Sequence, residues 1–324
     1  MAHTFLRRAH GLRRGLFAGL LSFALLAAIG GRAEAREAVT PENPTTFPTG
    51  SYAAKVGADA ADVYYPATTS RGLPVALLLQ GANVDKAHYE GFARTVAAFG
   101  FVVVVPNHVR PVFGVPGLWA SSDQALGAVA WAAAENRRDG SPLAGRIDTD
   151  TLTLLGHSFG GAAGMSTIQG LCAPPFCAGL PPGAVKPAQL KAAAFFGTNS
   201  VPPGGGPVGP IDNAGVPVAL IQGDADGVAA PVAARDTYRA LSAKPKALVG
   251  LHGANHFGIT DVQNPPGASP DASPQTLDQT EGIRAAGRWA ALWLKASLGD
   301  PVAASYVRYW GDATDRTVTV EQAY

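Results

Sequence analysis

The sequence predicts an α/β fold, a mostly parallel central sheet flanked by helices. Three observations carry this. Continuous apolar runs, Val75 to Leu79 and Phe101 to Val105, have the length of strands buried on both faces. These runs alternate with stretches of helical spacing, which implies parallel strands joined by right-handed crossovers. The residues best suited to chemistry each follow a predicted strand, where ligands sit in such sheets.

The elements follow in chain order. Arg7, Arg8, Arg13 and Arg14 precede the uncharged apolar stretch Leu16 to Ile29, and Ala33-Glu34-Ala35 fits a small-x-small cleavage site. Residues 1–35 therefore read as an export signal, and residues 36–324 as a single α/β domain. The apolar stretch is shorter than the roughly 20 residues of a membrane span, so no stable span is expected after cleavage. Arg13-Arg14 followed by Gly-Leu-Phe resembles a twin-arginine signal. A secreted or periplasmic location follows. Arg36 to Gly50, rich in Pro and Thr, is expected to lie extended on the surface. Asp62 to Tyr65 reads as an early antiparallel strand. Tyr89 to Phe99 has helical spacing and ends before Gly100, and Pro106 stops the next strand. Ser122 to Glu135 is a helix with Ser121 or Ser122 as its cap. Thr151 to Leu155, Leu190 to Phe196, Val216 to Gln222 and Ala247 to Leu251 are further strands. Glu281 to Leu298 is an amphipathic helix whose Ile283, Ala286, Trp289, Ala290 and Trp293 share one face. Two Pro- and Gly-rich segments, Leu171 to Val185 and Val201 to Pro217, are expected as loops walling a pocket.

Composition limits the function. Hydrophobic residues are 47% and charged residues 15%, which suits a buried core and opposes disorder. Net charge is +1, with no basic block outside the N-terminus, so nucleic acid is not an expected partner. The two cysteines, Cys172 and Cys177, enclose four residues; after export they are expected to form a local disulfide. No metal or organic cofactor is expected, and a monomer is.

The chemistry centres on Gly156-His157-Ser158-Phe159-Gly160, between the strand Thr151 to Leu155 and the helix-compatible stretch Gly161 to Ile168. Strand, sharp Gly-x-Ser-x-Gly turn and helix together form the nucleophile elbow of the α/β-hydrolase fold. Small residues must flank the strained turn, and the serine then stands above a helix N-terminus. A serine hydroxyl needs a base, and the base needs an orienting acid. In chain order the acid comes next. Asp224 and Asp226 compete for that role at the end of the strand Val216 to Gln222. His256, beyond Ala247 to Leu251, is the base; His252 reads as structural or pocket-lining. His157 is expected to pack below the turn and take no proton. The oxyanion donors are expected to be the main-chain N–H groups of Phe159 and Ala82, with Asn83 as the neighbouring alternative and Gly81 allowing the close approach.

These residues carry a resemblance. Gly100-Phe101-Val102-Val103-Val104, Gly156-His157-Ser158-Phe159-Gly160-Gly161, Asp226-Gly227-Val228-Ala229 and Gly253-Ala254-Asn255-His256 resemble the α/β-hydrolase branch of bacterial cutinase-like polyester hydrolases, chlorophyllase-like esterases and dienelactone-hydrolase relatives. The resemblance implies Asp226 as the acid, because the polyester hydrolases open a similar stretch with it. It implies a serine carboxylic-ester hydrolase acting on a small or polymeric ester. The sequence departs from the polyester hydrolases in two places. Ala82 stands where they carry an aromatic, and no Trp follows Leu190-Lys191-Ala192-Ala193-Ala194. Phe195, Phe196 and Phe257 are expected to line the cleft instead, with ready hydrolysis of short soluble esters and weak action on aromatic polyester film. A cutinase-like, chlorophyllase-like or acyltransferase activity would use the same serine. A non-catalytic binding module on this fold would form no covalent adduct there.

Overall fold

The computed structural model describes residues 43–202 and 204–324, all within a compact unit spanning Pro41–Tyr324. The export signal expected at residues 1–35 lies outside the described residues. Eleven strands are present among the described residues. Nine form one sheet: β1 (Thr49–Val56), β2 (Asp59–Pro66), β3 (Leu73–Leu79), β4 (Val102–Pro106), β7 (Ile147–His157), β8 (Leu190–Phe196), β9 (Val218–Gly223), β10 (Lys246–Leu251) and β11 (Val318–Ala323). Their order is β1-β2-β4-β3-β7-β8-β9-β10-β11. The pairs from β4 to β10 are parallel, and antiparallel pairs close both ends. The other two, β5 (Val109–Val112) and β6 (Val115–Leu118), form a separate hairpin.

Both faces of the sheet are covered, which is why its central strands read as unbroken apolar runs. Helices α1 (Glu90–Ala98) and α5 (Gln279–Ser297) cover one face; α2 (Gln124–Glu135), α3 (Phe159–Ile168) and α4 (Pro231–Ala240) cover the other. Alternation sorts each strand between the two cores: in β4, Val103 and Val105 join the first, and Val102 and Val104 the second. The face predicted for α5 is buried as expected, with Trp289 and Trp293 almost wholly enclosed. From β3 the chain crosses to β4, whereas from β7 it proceeds through α3 to β8. The adjacent carboxyl ends of β3 and β7 therefore flank a topological switch point, where α/β sheets place their ligands.

Two local expectations are corrected. Helix α2 begins at Gln124, and neither serine caps it. The Ser121 hydroxyl instead donates to Phe176 O at 2.9 Å, and Ser122 N donates to the same carbonyl. The serines are spent tying the helix start to the cysteine loop, which holds the Cys172–Cys177 disulfide. At the other end of α2, Glu135 accepts from Tyr52 Oη, Ser141 Oγ and the Arg138 guanidinium. Burial alone would raise its carboxyl, but these hydrogen bonds outweigh it and hold the group down to about 2. A depressed carboxylate stabilises the fold fully above its unfolded value and loses that contribution as pH falls through the folded one. Glu135→Gln is therefore expected to cost about 1–3 kcal/mol at neutral pH. The gap to wild type should close as pH falls from 4.5 toward 2, as urea unfolding across that range would show.

Candidate active site

The elbow forms because three glycines remove the atoms that would block it. A Cβ on Gly156 would lie 2.8 Å from Gly161 Cα, and one on Gly160 would lie 2.1 Å from Leu79 O. Strand β7, the turn and the first turn of α3 can thus close on one another and on β3. Ser158 sits at φ +53°, ψ −121°, a conformation costly for a side-chain-bearing residue and common where a fold stores strain at a functional site. The N–H of Ser158 is bound to Phe196 O at 2.9 Å, which fixes the turn to β8.

Three strand ends bring the sequence-predicted trio together. His256 Nε2 lies 2.8 Å from Ser158 Oγ, and His256 Nδ1 lies 2.9 Å from Asp226 Oδ2. The Asp226 carboxylate also accepts from Val228 N, Ala229 N and Gln222 Nε2. Fully enclosed and so held, it is oriented toward the imidazole. Asp224 and His252 pair with each other instead, at 3.1 Å, about half exposed, and Asp224 accepts from Gly253 N. Asp224 thus braces the loop that precedes His256.

Asp271 was not legible as part of the site. Its carboxylate accepts from His256 N at 3.0 Å and Gly227 N at 3.1 Å, and from Ser273 N. Burial works against its charge, but those amides prevail and hold it below the usual carboxylate range. It staples the histidine loop to the acid loop. It lies in a Pro- and Ser-rich stretch without periodicity, so only the fold reveals it.

The cavity beside Ser158 has a volume of about 370 Å³. Gly81, Ala82, Asn83, Phe159 and Phe257 line it. Among the described residues the N–H groups of Ala82 and Phe159 have no hydrogen-bond partner, so both are free to receive an oxyanion. Asn83 is not free, because its N–H donates to Leu118 O at 2.8 Å. Its side-chain oxygen accepts from Leu118 N, so the oxyanion loop and the β5–β6 hairpin are clamped together.

Phe195 and Phe196 do not line the cavity, contrary to expectation. They are adjacent on β8, so they point to opposite faces, and each is buried in one of the two cores. The loops 171–185 and 201–217 do not line it either. A further aromatic in the wall is Trp119, just after the hairpin. Its ring meets Phe159 edge-on at 5.2 Å, and Phe159 in turn meets Phe176 of the cysteine loop at 5.1 Å. Arg110 donates to the carbonyls of Trp119, Ala120 and Pro175, joining hairpin and cysteine loop behind that wall. The sequence offered Trp119 no partner, because hairpin and cysteine loop meet only in the fold.

Among the described residues, no group of three or more His, Cys, Asp or Glu side chains is arranged to hold a metal ion. No described helix is long and apolar enough to cross a membrane. Residues 35–176 match the model of the PETase family, described as PET hydrolase-like. The match takes in the elbow and Cys172 and ends before Cys177, Asp226 and His256. Comparison with curated proteins finds no match.

Proposed function

We propose that the chain is a carboxylic ester hydrolase working through an acyl-enzyme on Ser158, a reading supported by the match of residues 35–176 to the PET hydrolase-like family model. The observation carrying this reading is the unbroken line from Ser158 Oγ through both nitrogens of His256 to the Asp226 carboxylate. Ser158 Oγ attacks the ester carbon while its proton passes to His256 Nε2. The carbonyl π pair moves onto oxygen, where the N–H groups of Ala82 and Phe159 receive it. Collapse restores the carbonyl and breaks the C–O bond, and His256 returns the proton to the leaving alcohol. Asp226 stays ionised throughout, holding the Nδ1–H and stabilising the imidazolium. Water then repeats the steps on the acyl-enzyme, releasing the acid and restoring Ser158.

The test is covalent labelling with a serine-directed alkyl phosphonate, mapped by peptide mass spectrometry. One adduct on Ser158, with parallel loss of nitrophenyl ester hydrolysis, supports the reading. An unlabelled Ser158 in folded protein overturns it.

The substrate reading rests on the cavity walls. A cavity of about 370 Å³ fits a short acyl group or one end unit of a longer chain. Trp119 gives it an aromatic face beside Phe159 and Phe257. Short soluble esters should turn over readily, with aromatic polyester film slower. An aromatic contact contributes about 0.5–1.5 kcal/mol beyond area burial, or roughly 2- to 13-fold in rate. Trp119→Ala should therefore lower kcat/KM for nitrophenyl benzoate by about that factor relative to nitrophenyl acetate. Equal losses on both esters would show that Trp119 takes no part in acyl selection.

The basic, apolar N-terminus and the Cys172–Cys177 bridge support export to an oxidising compartment. N-terminal sequencing of protein recovered outside the cytoplasm should begin at Arg36.

A further inference from the structure

His157 fills the variable position of the elbow and has no part in the proton transfers above. Its ring is fully buried. Both nitrogens are nonetheless engaged. Nε2 lies 2.9 Å from the main-chain oxygen of His256, and Nδ1 lies 2.9 Å from the Tyr89 hydroxyl. That hydroxyl also accepts from Gly81 N at 2.8 Å. A carbonyl oxygen can only accept, so Nε2 must carry a proton. A neutral imidazole has one such proton, so Nδ1 is bare and accepts from the Tyr89 O–H. The Gly81 N–H then meets the remaining lone pair of the hydroxyl. With a neutral ring, this arrangement alone satisfies every group. Burial, then the neighbouring His256, holds His157 well below the usual histidine range and keeps the ring neutral.

The three residues so joined belong to different parts of the site. Gly81 precedes the oxyanion donor Ala82 at the end of β3. His157 adjoins the nucleophile at the end of β7. His256 is the base beyond β10, four strands from β3 in the sheet. Among the described residues no backbone hydrogen bond links residues 80–83 to residues 252–258. The contact is close: a Cβ on Gly81 would lie 2.7 Å from His157 Nδ1. On its other side the His256 main chain is held by Asp271 through its N–H.

We propose that Tyr89 and His157 are positioning residues of the hydrolase. The relay from the Gly81 N–H through the Tyr89 hydroxyl and the His157 imidazole to the His256 carbonyl sets the spacing between oxyanion loop and general base, and it requires the Nε2–H tautomer of His157. The inference rests on the serine acyl-enzyme reading. It goes beyond that reading in assigning two buried residues outside the trio of Ser158, His256 and Asp226 to the alignment of base and oxyanion donor. A satisfied core histidine would matter for stability alone; a relay matters for turnover in protein that remains folded. Misplacing a reacting group by about 1 Å can cost on the order of 100-fold.

The experiment compares wild type with Tyr89→Phe, His157→Leu and His157→Gln in the full chain, each checked by thermal unfolding. Hydrolysis of nitrophenyl acetate is read as kcat and KM separately, and the tautomer of His157 is read by ¹⁵N NMR of the wild type. Tyr89→Phe and His157→Leu should lower kcat by roughly 10- to 100-fold with KM little changed. His157→Gln should recover much of the loss, because an amide keeps one acceptor and one donor. The wild type should show protonated Nε2 and bare Nδ1, and Tyr89→Phe should shift the Gly81 amide resonance. Wild-type kcat in folded His157→Leu overturns the proposal. So does a Gln variant no better than Leu when both are folded, or an Nδ1–H tautomer in the wild type. Should the His157 variants fail to fold, Tyr89→Phe carries the test, and wild-type kcat in folded Tyr89→Phe overturns the proposal. Failure of the acyl-enzyme reading shows separately, as an unlabelled Ser158, while the tautomer and the Gly81 resonance still report the relay.

Discussion

Ser158→Ala should leave a folded protein whose ester hydrolysis is reduced by on the order of 10⁴-fold, and His256→Ala should be comparably damaging. The side chains are nearly enclosed, at 4% exposure for His256 and 0% for Asp226, so no solvent-exposed group can replace them. Asp226→Asn should also be severe. Its amide would face the His256 nitrogen that the carboxylate now binds at 2.9 Å, favouring the wrong tautomer. Asp224→Ala should retain most activity, because its carboxylate is half exposed and braces only Gly253 and His252. Nitrophenyl ester kinetics with matched circular dichroism melts would check the series. Full activity in Asp226→Ala together with loss in Asp224→Ala would reverse the assignment of the acid.

Gly160→Ala should be the most damaging small substitution for stability. The added Cβ would stand 2.1 Å from Leu79 O and 2.5 Å from Gln80 O. Both obstacles are main-chain atoms at the end of β3, so no side chain can rotate away. Overpacking costs about 1–3 kcal/mol, and a backbone clash belongs at the upper end or beyond. For a domain of this size, about 3 kcal/mol corresponds to roughly 6–12 °C in Tm. Gly161→Ala meets first the Thr198 side chain rather than main chain and should cost less. Differential scanning calorimetry of the two variants would separate these outcomes. An unchanged Tm for Gly160→Ala would mean that α3 can move off β3 at little cost.

The sequence was most legible where a residue's neighbours are dictated by its own strand. Val75–Leu79 and Val102–Val105 announced themselves because helices cover both faces of the sheet. Ser158, Asp226 and His256 could be picked out as candidates because a nucleophile, acid and base must each lie just past a strand end, in a fixed chain order. The edges were harder. Strand β1 alternates between exposed and half-buried residues, and β5 and β6 carry Pro111 and Pro116 on a largely exposed hairpin. No apolar run marks such strands. Side-chain roles set by contacts remote in sequence were the least legible. Phe195 and Phe196 suggested a cleft until β8 proved central. Trp119, Asp271 and Tyr89 gained their roles from partners 40, 15 and 68 residues away, which no local pattern encodes.

The hairpin bearing Trp119 contributes no strand to the nine-stranded sheet. Reaction chemistry and the shape of the aromatic wall are therefore carried by separable pieces of chain. One is anchored in the core, and the other is hung beside it on backbone and arginine contacts. Such a division makes the wall exchangeable. A grafted hairpin of different length or sequence could reshape acyl selection without disturbing the core that holds the nucleophile. The condition on a graft is narrow and geometric: it must present one main-chain N–H and one C=O where Leu118 now offers both to Asn83.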